Sequence, residues 1–244
     1  MMITPRPKDA RHKAWLLRLL TAIADDPELA QCLAFKGGTC AAMLGVLNRF
    51  SVDLDFDLLN GYDRLPIIRQ RFESVFSKLG LVIKDQSSTG VQFFVKYDAP
   101  PHERSTIKID SQFPPPVSNR YEQASFTEID RTLKVQTLET MVANKLVAVL
   151  DRWDKHRSIA GRDIYDIHHF LLNGYRYLPE IIIERTGYSL NHFFEKLIHF
   201  IETHCRLTQI QQDLNTLLPL QVFQRIKALK QETLVMLQDE RRRL

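Results

Sequence analysis

Asp53 and Asp55 stand two residues apart in the run SVDLDFDLL, where apolar and acidic residues alternate strictly. Period two is the signature of a β-strand, so Val52, Leu54 and Phe56 point one way and Asp53, Asp55 and Asp57 the other. Carboxylates packed on one strand face repel each other, and a divalent cation or a raised pKa relieves them. Mg²⁺ binds a few carboxylate oxygens and completes its shell with water and phosphate, so the pair suits metal-assisted chemistry on a phosphorylated substrate. The plainer reading is that the acids line the wet face of an edge strand, as alternating strands often do. Taken alone, the pair does not choose between these readings.

Other residues extend the pattern. Lys36-Gly37-Gly38-Thr39 joins paired glycines, which let a ligand approach the backbone, to N–H groups opening a helix. Thr39 is the expected N-cap of that helix, which runs through Leu47. Asp110, in TIKIDS, lies on a later strand, and strands of one sheet can bring a third carboxylate beside the first two. Asp57 extends the acidic face and reads as a supporting or solvated residue. Arg49 and Ser51 read as structural, Arg49 pairing with an acid and Ser51 setting up the strand.

The elements that must position these groups fall into two stretches. Helical periodicity marks residues 8–24 and 66–79, the latter stopped by Gly80, and a short helix ends near Ala34. Strand-like runs LVIKDQ, VQFFVKY and STIKIDSQF follow, with loops at residues 98–101 and 114–116. From Thr137, a good N-cap, the pattern turns helical: residues 137–150, RDIYDIHHFLLNG closed by Asn173-Gly174, then 188–204, 208–217 and 220–242. The fold class expected is α+β: a mixed sheet with flanking helices over residues 1–130 and a helical bundle over 131–244. The two lobes are expected to join near residues 114–136 and to leave a cleft between them.

Bulk properties narrow the class. Charged residues make up 25% of the chain and apolar ones 44%, ordinary for a soluble globular protein. No apolar run reaches the roughly 18 residues of a membrane span, and the basic start MMITPRPKDARHKAW lacks a signal-peptide core. Three cysteines without CxxC spacing argue for a reduced, cytoplasmic protein with no zinc site. The net charge of +4 is compatible with nucleotide or nucleic-acid partners and selects neither. There is no HExxH, GxSxG or Walker A motif. The run Lys155-His156-Arg157 could meet phosphate or RNA, whereas Arg241-Arg242-Arg243 reads as a solvated tail.

With these residues in hand, KGGTCAAMLGVLNRFSVDLDFDLL resembles the signature of the DNA polymerase β-like nucleotidyltransferases. Together with KLVAVLDR and GRDIYDIHH, in that order from Lys36 to His169, it resembles more narrowly the AbiEii/AbiGii family of nucleotidyltransferase-like toxins. The resemblance implies that Lys36, Gly37, Gly38 and Thr39, with Ser51, line a nucleotide site, Gly38 and Thr39 touching phosphate. It implies that Asp53 and Asp55 hold Mg²⁺, with Asp110 as a further ligand, while Lys145 reaches the triphosphate and Asp163 completes the site. A compact ammonium suits the phosphate role, although a lysine snorkelling from a packed helix is the common alternative. Asp163 and Asp166 share one helix face, and Asp166 is expected to orient Asp163 or to pair with Arg152; Asp163 could also merely favour the start of its helix.

The activity so implied is Mg²⁺-dependent transfer of a nucleoside monophosphate from an NTP to an acceptor hydroxyl, with tRNA or another RNA as acceptor. The resemblance also implies a toxin of a toxin–antitoxin or phage-defence system, with a cognate antitoxin as partner. Two alternatives stand beside it: an enzyme of the same fold acting on a small antibiotic-type molecule, and a catalytically inactive nucleotide-binding regulator.

Overall fold

The computed structural model describes residue 3, residues 6–59 and residues 61–244, the side chain of Tyr62 excepted. The basic N-terminal stretch therefore lies partly outside the described residues. The chain divides into two compact units. One comprises residues 1–46, 50–115 and 121–136, and the other residues 47–49, 116–120 and 137–244.

The first unit is built on a mixed seven-stranded sheet. Helix α1 (Asp9–Ala24) buries Leu16, Leu19, Leu20 and Ile23 at helical spacing. Helix α2 (Pro27–Cys32) follows, with the Asp26 side chain accepting from the Glu28 and Leu29 amides as its cap. Strand β1 (Leu33–Lys36), helix α3 (Gly37–Met43), strand β2 (Leu54–Leu58) and helix α4 (Leu65–Leu79) come next. Gly80 ends α4 in the left-handed region. Strands β3 (Val82–Gln86), β4 (Gln92–Lys96), β5 (Thr106–Gln112), β6 (Tyr121–Phe126) and β7 (Arg131–Gln136) complete the sheet, in the order β3-β4-β5-β2-β1-β7-β6. β2 runs parallel to β5 and antiparallel to β1. The aspartate strand is thus the central one of seven, which removes the edge-strand reading. One sheet face carries Phe35, Phe56 and Phe93; Phe93 packs on Phe72 and Phe76 of α4 at ring separations of 5.7 and 5.2 Å.

The second unit is helical: α5 (Leu138–His156), α6 (Gly161–Leu172), α7 (Pro179–Thr186), α8 (Leu190–His204), α9 (Leu207–Leu214), α10 (Leu220–Phe223) and α11 (Ile226–Arg242). Thr137 caps α5, accepting from the Thr140 amide. The core buries Leu146, Ile164, Phe170, Phe193, Leu197, Ile201 and Leu237. Gly161 opens α6 where a Cβ would lie 2.5 Å from the Ile210 Cα on α9, so only glycine fits there.

The α+β class holds, and several expectations change. Residues 121–136 form the β6–β7 hairpin, hydrogen-bonded to the sheet through β1 and part of the first unit, while residues 116–120 belong to the second. β1 and α7 were not expected, and residues 220–242 form two helices. Helix α3 starts at Gly37, not after Thr39, because Gly37 adopts φ +77° and turns the chain directly out of β1. No helix among the described residues is long and apolar enough to cross a membrane, and all three cysteines are buried as free thiols.

Candidate functional site

In the sheet unit, strand register sets the site. Lys36 of β1 lies opposite Asp55 of β2, Asp55 opposite Asp110 of β5, and Asp110 opposite Gln92 of β4. Directly paired residues on neighbouring strands share a face with Cβ atoms about 5 Å apart, so two carboxylates meet across the centre of the sheet. Asp53 adds a third from the residue before β2. Burial, followed by the charges of Asp53 and Asp110, raises the Asp55 pKa, with Lys36 offsetting part of the rise. Lys108 donates to Asp110 Oδ2 at 2.5 Å.

The glycine turn serves this row. A Cβ on Gly37 would sit 2.5 Å from Asp55 Oδ2, so the Asp55 carboxylate rests against backbone that only glycine leaves open. Lys36 Nζ donates to Asp57 Oδ1 at 2.6 Å and to Gln112 Oε1 at 2.8 Å. Asp57 is fully buried, accepting also from Tyr121 Oη at 2.9 Å and Gln136 Nε2 at 2.7 Å. Of the two readings of Asp57, supporting or solvated, its burial removes the second. The strand is central, and side chains from β1, β6 and β7 close over this carboxylate and supply the hydrogen bonds its burial requires. Thr39, expected as a helix cap, donates its hydroxyl to the Asp53 carbonyl, and Ser51 is buried just ahead of Asp53.

The donor set fits a hard divalent cation: three carboxylates on or beside one strand pair, two of whose charges raise the proton affinity of Asp55. Among the described residues no three His, Cys, Asp or Glu side chains form a ready-made metal cage.

The helical unit holds a second cluster. Lys145 Nζ of α5 lies 2.8 Å from Asp163 Oδ1 and 3.0 Å from Asp166 Oδ2 of α6. Arg49 donates through Nε to Asp166 Oδ1 at 2.5 Å and through its terminal nitrogen to Oδ2 at 2.7 Å, a bidentate pair nearly devoid of solvent. Arg152 Nε donates to Asp163 Oδ2 at 3.2 Å. Asp166 therefore pairs with Arg49 and Lys145, not with Arg152. One turn of α6 offers two acids, and Arg152, coming from α5, reaches only the earlier one. Burial opposes ionisation of Asp163, yet Lys145 and Arg152 overcome it and hold its pKa at about 2. Burial works against the Lys145 charge too, and Asp163 and Asp166 reverse this, raising its pKa so that it stays cationic.

The fold is shared with solved proteins. A candidate nucleotidyltransferase from H. pylori aligns at 20% identity over 98% of this chain and 97% of its own, with a TM-score of 0.61. JHP933 from Helicobacter pylori aligns at 19% identity over 98% and 94%, with a TM-score of 0.58. No curated protein matches the sequence significantly. The model of the family described as nucleotidyl transferase AbiEii toxin, type IV TA system, matches residues 18–231. The chain belongs to the AbiEii family. It is a nucleotidyltransferase in a toxin–antitoxin context. Within the AbiEii chain, Asp53, Asp55 and Asp110 come together in the sheet unit, and Lys145, Asp163 and Asp166 in the helical unit. The sequence offered Asp57 as a supporting residue but not its partners Lys36, Tyr121 and Gln136. Its signal was the third step of the DLDFD alternation, which carries an acid past the Asp53–Asp55 pair.

Proposed function

We propose that this AbiEii chain transfers a nucleoside monophosphate from an NTP to a hydroxyl of an RNA acceptor, with Mg²⁺ held by Asp53, Asp55 and Asp110. The observation that carries the reading is the register of Asp55 on Asp110 at the centre of the sheet, with Asp53 beside them and the Asp55 pKa raised. Such crowding of negative charge is stabilising only where a cation joins it. Mg²⁺, when bound, supplies charge neutralisation on the phosphates and lowers the pKa of the attacking hydroxyl.

The chain's own residues do the rest. In the reaction the acceptor oxygen bonds to the α-phosphorus, the bond to the α–β bridging oxygen breaks, and pyrophosphate leaves with that electron pair. Asp110 takes the hydroxyl proton. The family motif implies phosphate contact at Gly38 and Thr39, with Lys36, Gly37 and Ser51 as further nucleotide-site residues. Within the helical unit, Asp163 and Asp166 hold Lys145 in place as a cation. The physiological partner is a cognate antitoxin, and the compartment is the cytoplasm.

The test incubates the protein with each α-³²P-labelled NTP, Mg²⁺ and total RNA, beside D55N. Label on RNA that D55N lowers about 100-fold or more supports the reading. Label absent from RNA but present on small hydroxylated acceptors would move the assignment to small-molecule transfer. NTP binding without any transfer would leave a non-catalytic nucleotide-binding regulator.

A further inference from the structure

Asp53 lies one residue ahead of β2, and the β2 ladder begins at Leu54 on one side and Asp55 on the other. The carbonyls of residues 52 and 53 therefore take their donors from side chains. His12 of α1, fully buried, brings Nε2 to 2.9 Å from the Val52 carbonyl. The Thr39 hydroxyl donates to the Asp53 carbonyl. These two carbonyls belong to the peptide planes on either side of the Asp53 Cα. Fixing both planes fixes φ and ψ of Asp53, and with them the direction of its Cα–Cβ bond.

The imidazole is itself held. Its Nδ1 lies 2.7 Å from Tyr97 Oη, which is 2.6 Å from the Arg104 carbonyl. Trp15 stacks on Tyr97 with centroids 5.3 Å apart, and Phe50 meets the imidazole edge at 6.1 Å. A carbonyl only accepts, so Nε2 carries the proton toward Val52. Burial keeps the ring neutral, its pKa pushed down to about 4.

We propose that His12, acting with Thr39, is a positioning residue for the nucleotidyl-transfer site: it orients Asp53 toward the divalent cation by donating to the Val52 carbonyl. His12 lies outside every motif that marks the family in this chain. The inference rests on the reading of Asp53 as a cation ligand, and the experiment keeps the two separable.

Mn²⁺ affinity is measured on the full chain by electron paramagnetic resonance for wild type, D53A, H12M, H12Q and H12N, with melting temperatures alongside. The Gln amide nitrogen stands near the position of imidazole Nε2 and preserves the donor, whereas the shorter Asn amide cannot reach Val52. H12M and H12N should weaken Mn²⁺ binding by about 10-fold or more, the range typical of groups that hold a metal ligand in place, and H12Q should recover most of it. The Mg²⁺ concentration needed for half-maximal pyrophosphate release should rise in parallel, with KM for NTP at saturating Mg²⁺ little changed. Native Mn²⁺ affinity in folded H12M and H12N would overturn the proposal and leave His12 a core residue. If H12M does not fold, equal affinities of H12Q and H12N overturn it in the same way. Native Mn²⁺ affinity in D53A would instead sink the assignment of Asp53 as a ligand.

Discussion

Removing either partner of the Arg49–Asp166 pair should destabilise the helical unit severely, and removing both should not. The guanidinium is 3% exposed and the carboxylate 0%, joined by bonds of 2.5 and 2.7 Å. Stranding one charge of a buried pair costs about 3–5 kcal/mol, whereas replacing both by apolar groups is often close to neutral. The two single variants are not equivalent. R49M leaves Asp166 with Lys145 at 3.0 Å, so its cost should fall near the lower end, about 3 kcal/mol. D166L strands a guanidinium and also takes one of two acids from Lys145, so its cost should approach about 5 kcal/mol. Independent effects would total about 8 kcal/mol in the double variant; coupling through one shared pair should hold it to about 2 or 3. The chain has two tryptophans, and in a W15F background Trp153 of α5 reports on the helical unit alone. Urea unfolding followed by its fluorescence gives the four free energies. Singles costing under about 1 kcal/mol each, or an additive double variant, would refute the claim that this pair is desolvated and mutually dependent.

The other expectations are shorter. G37A should cost about 1–3 kcal/mol, because φ +77° is strained for alanine and its Cβ would stand 2.5 Å from Asp55 Oδ2; unchanged melting and NTP turnover would contradict that contact. His12 binds its proton with a pKa near 4 in the folded protein against the ordinary histidine value of 6.5, so its contribution is complete above about pH 6.5 and declines as pH falls toward 4, by about 3 kcal/mol in all. H12Q should lose that pH dependence, which stability measured between pH 7 and 4 will show. Asp163, at about 2 against 3.8, contributes about 2 kcal/mol above pH 3.8 that disappears as pH falls through 2, and D163N should lack this acid limb. D110N should lower the Asp55 pKa by removing a neighbouring negative charge, a change that carbon-13 carboxyl titration detects; an unmoved Asp55 would mean the registered pair is not coupled.

Local patterns were legible wherever a period or a cap repeats within one element. The DLDFD alternation marked β2, the apolar spacing of α1, α4, α5 and α6 marked those helices, and Thr137 and Gly80 marked a start and a stop. Order and spacing also brought the family into view through KGGT, the DLD pair and GRDIYD. β1 escaped because four residues are too few for a period, and the β6–β7 hairpin because its exposed edge strand lacks a strong apolar face.

Only the tertiary structure decided the electrostatics. Alternation put Asp57 on the acidic face, but the central placement of β2 buried it and brought Lys36, Tyr121 and Gln136 to it. The same alternation could not say that Asp55 would meet Asp110, since strand register depends on partners distant in sequence. Arg49 and Asp166 are 117 positions apart, and nothing local indicates that each satisfies the other's burial. Periodicity is set by backbone geometry and is therefore written along the chain. The partner of a buried charge is set by which surfaces exclude water from one another, and that is settled only when the elements pack.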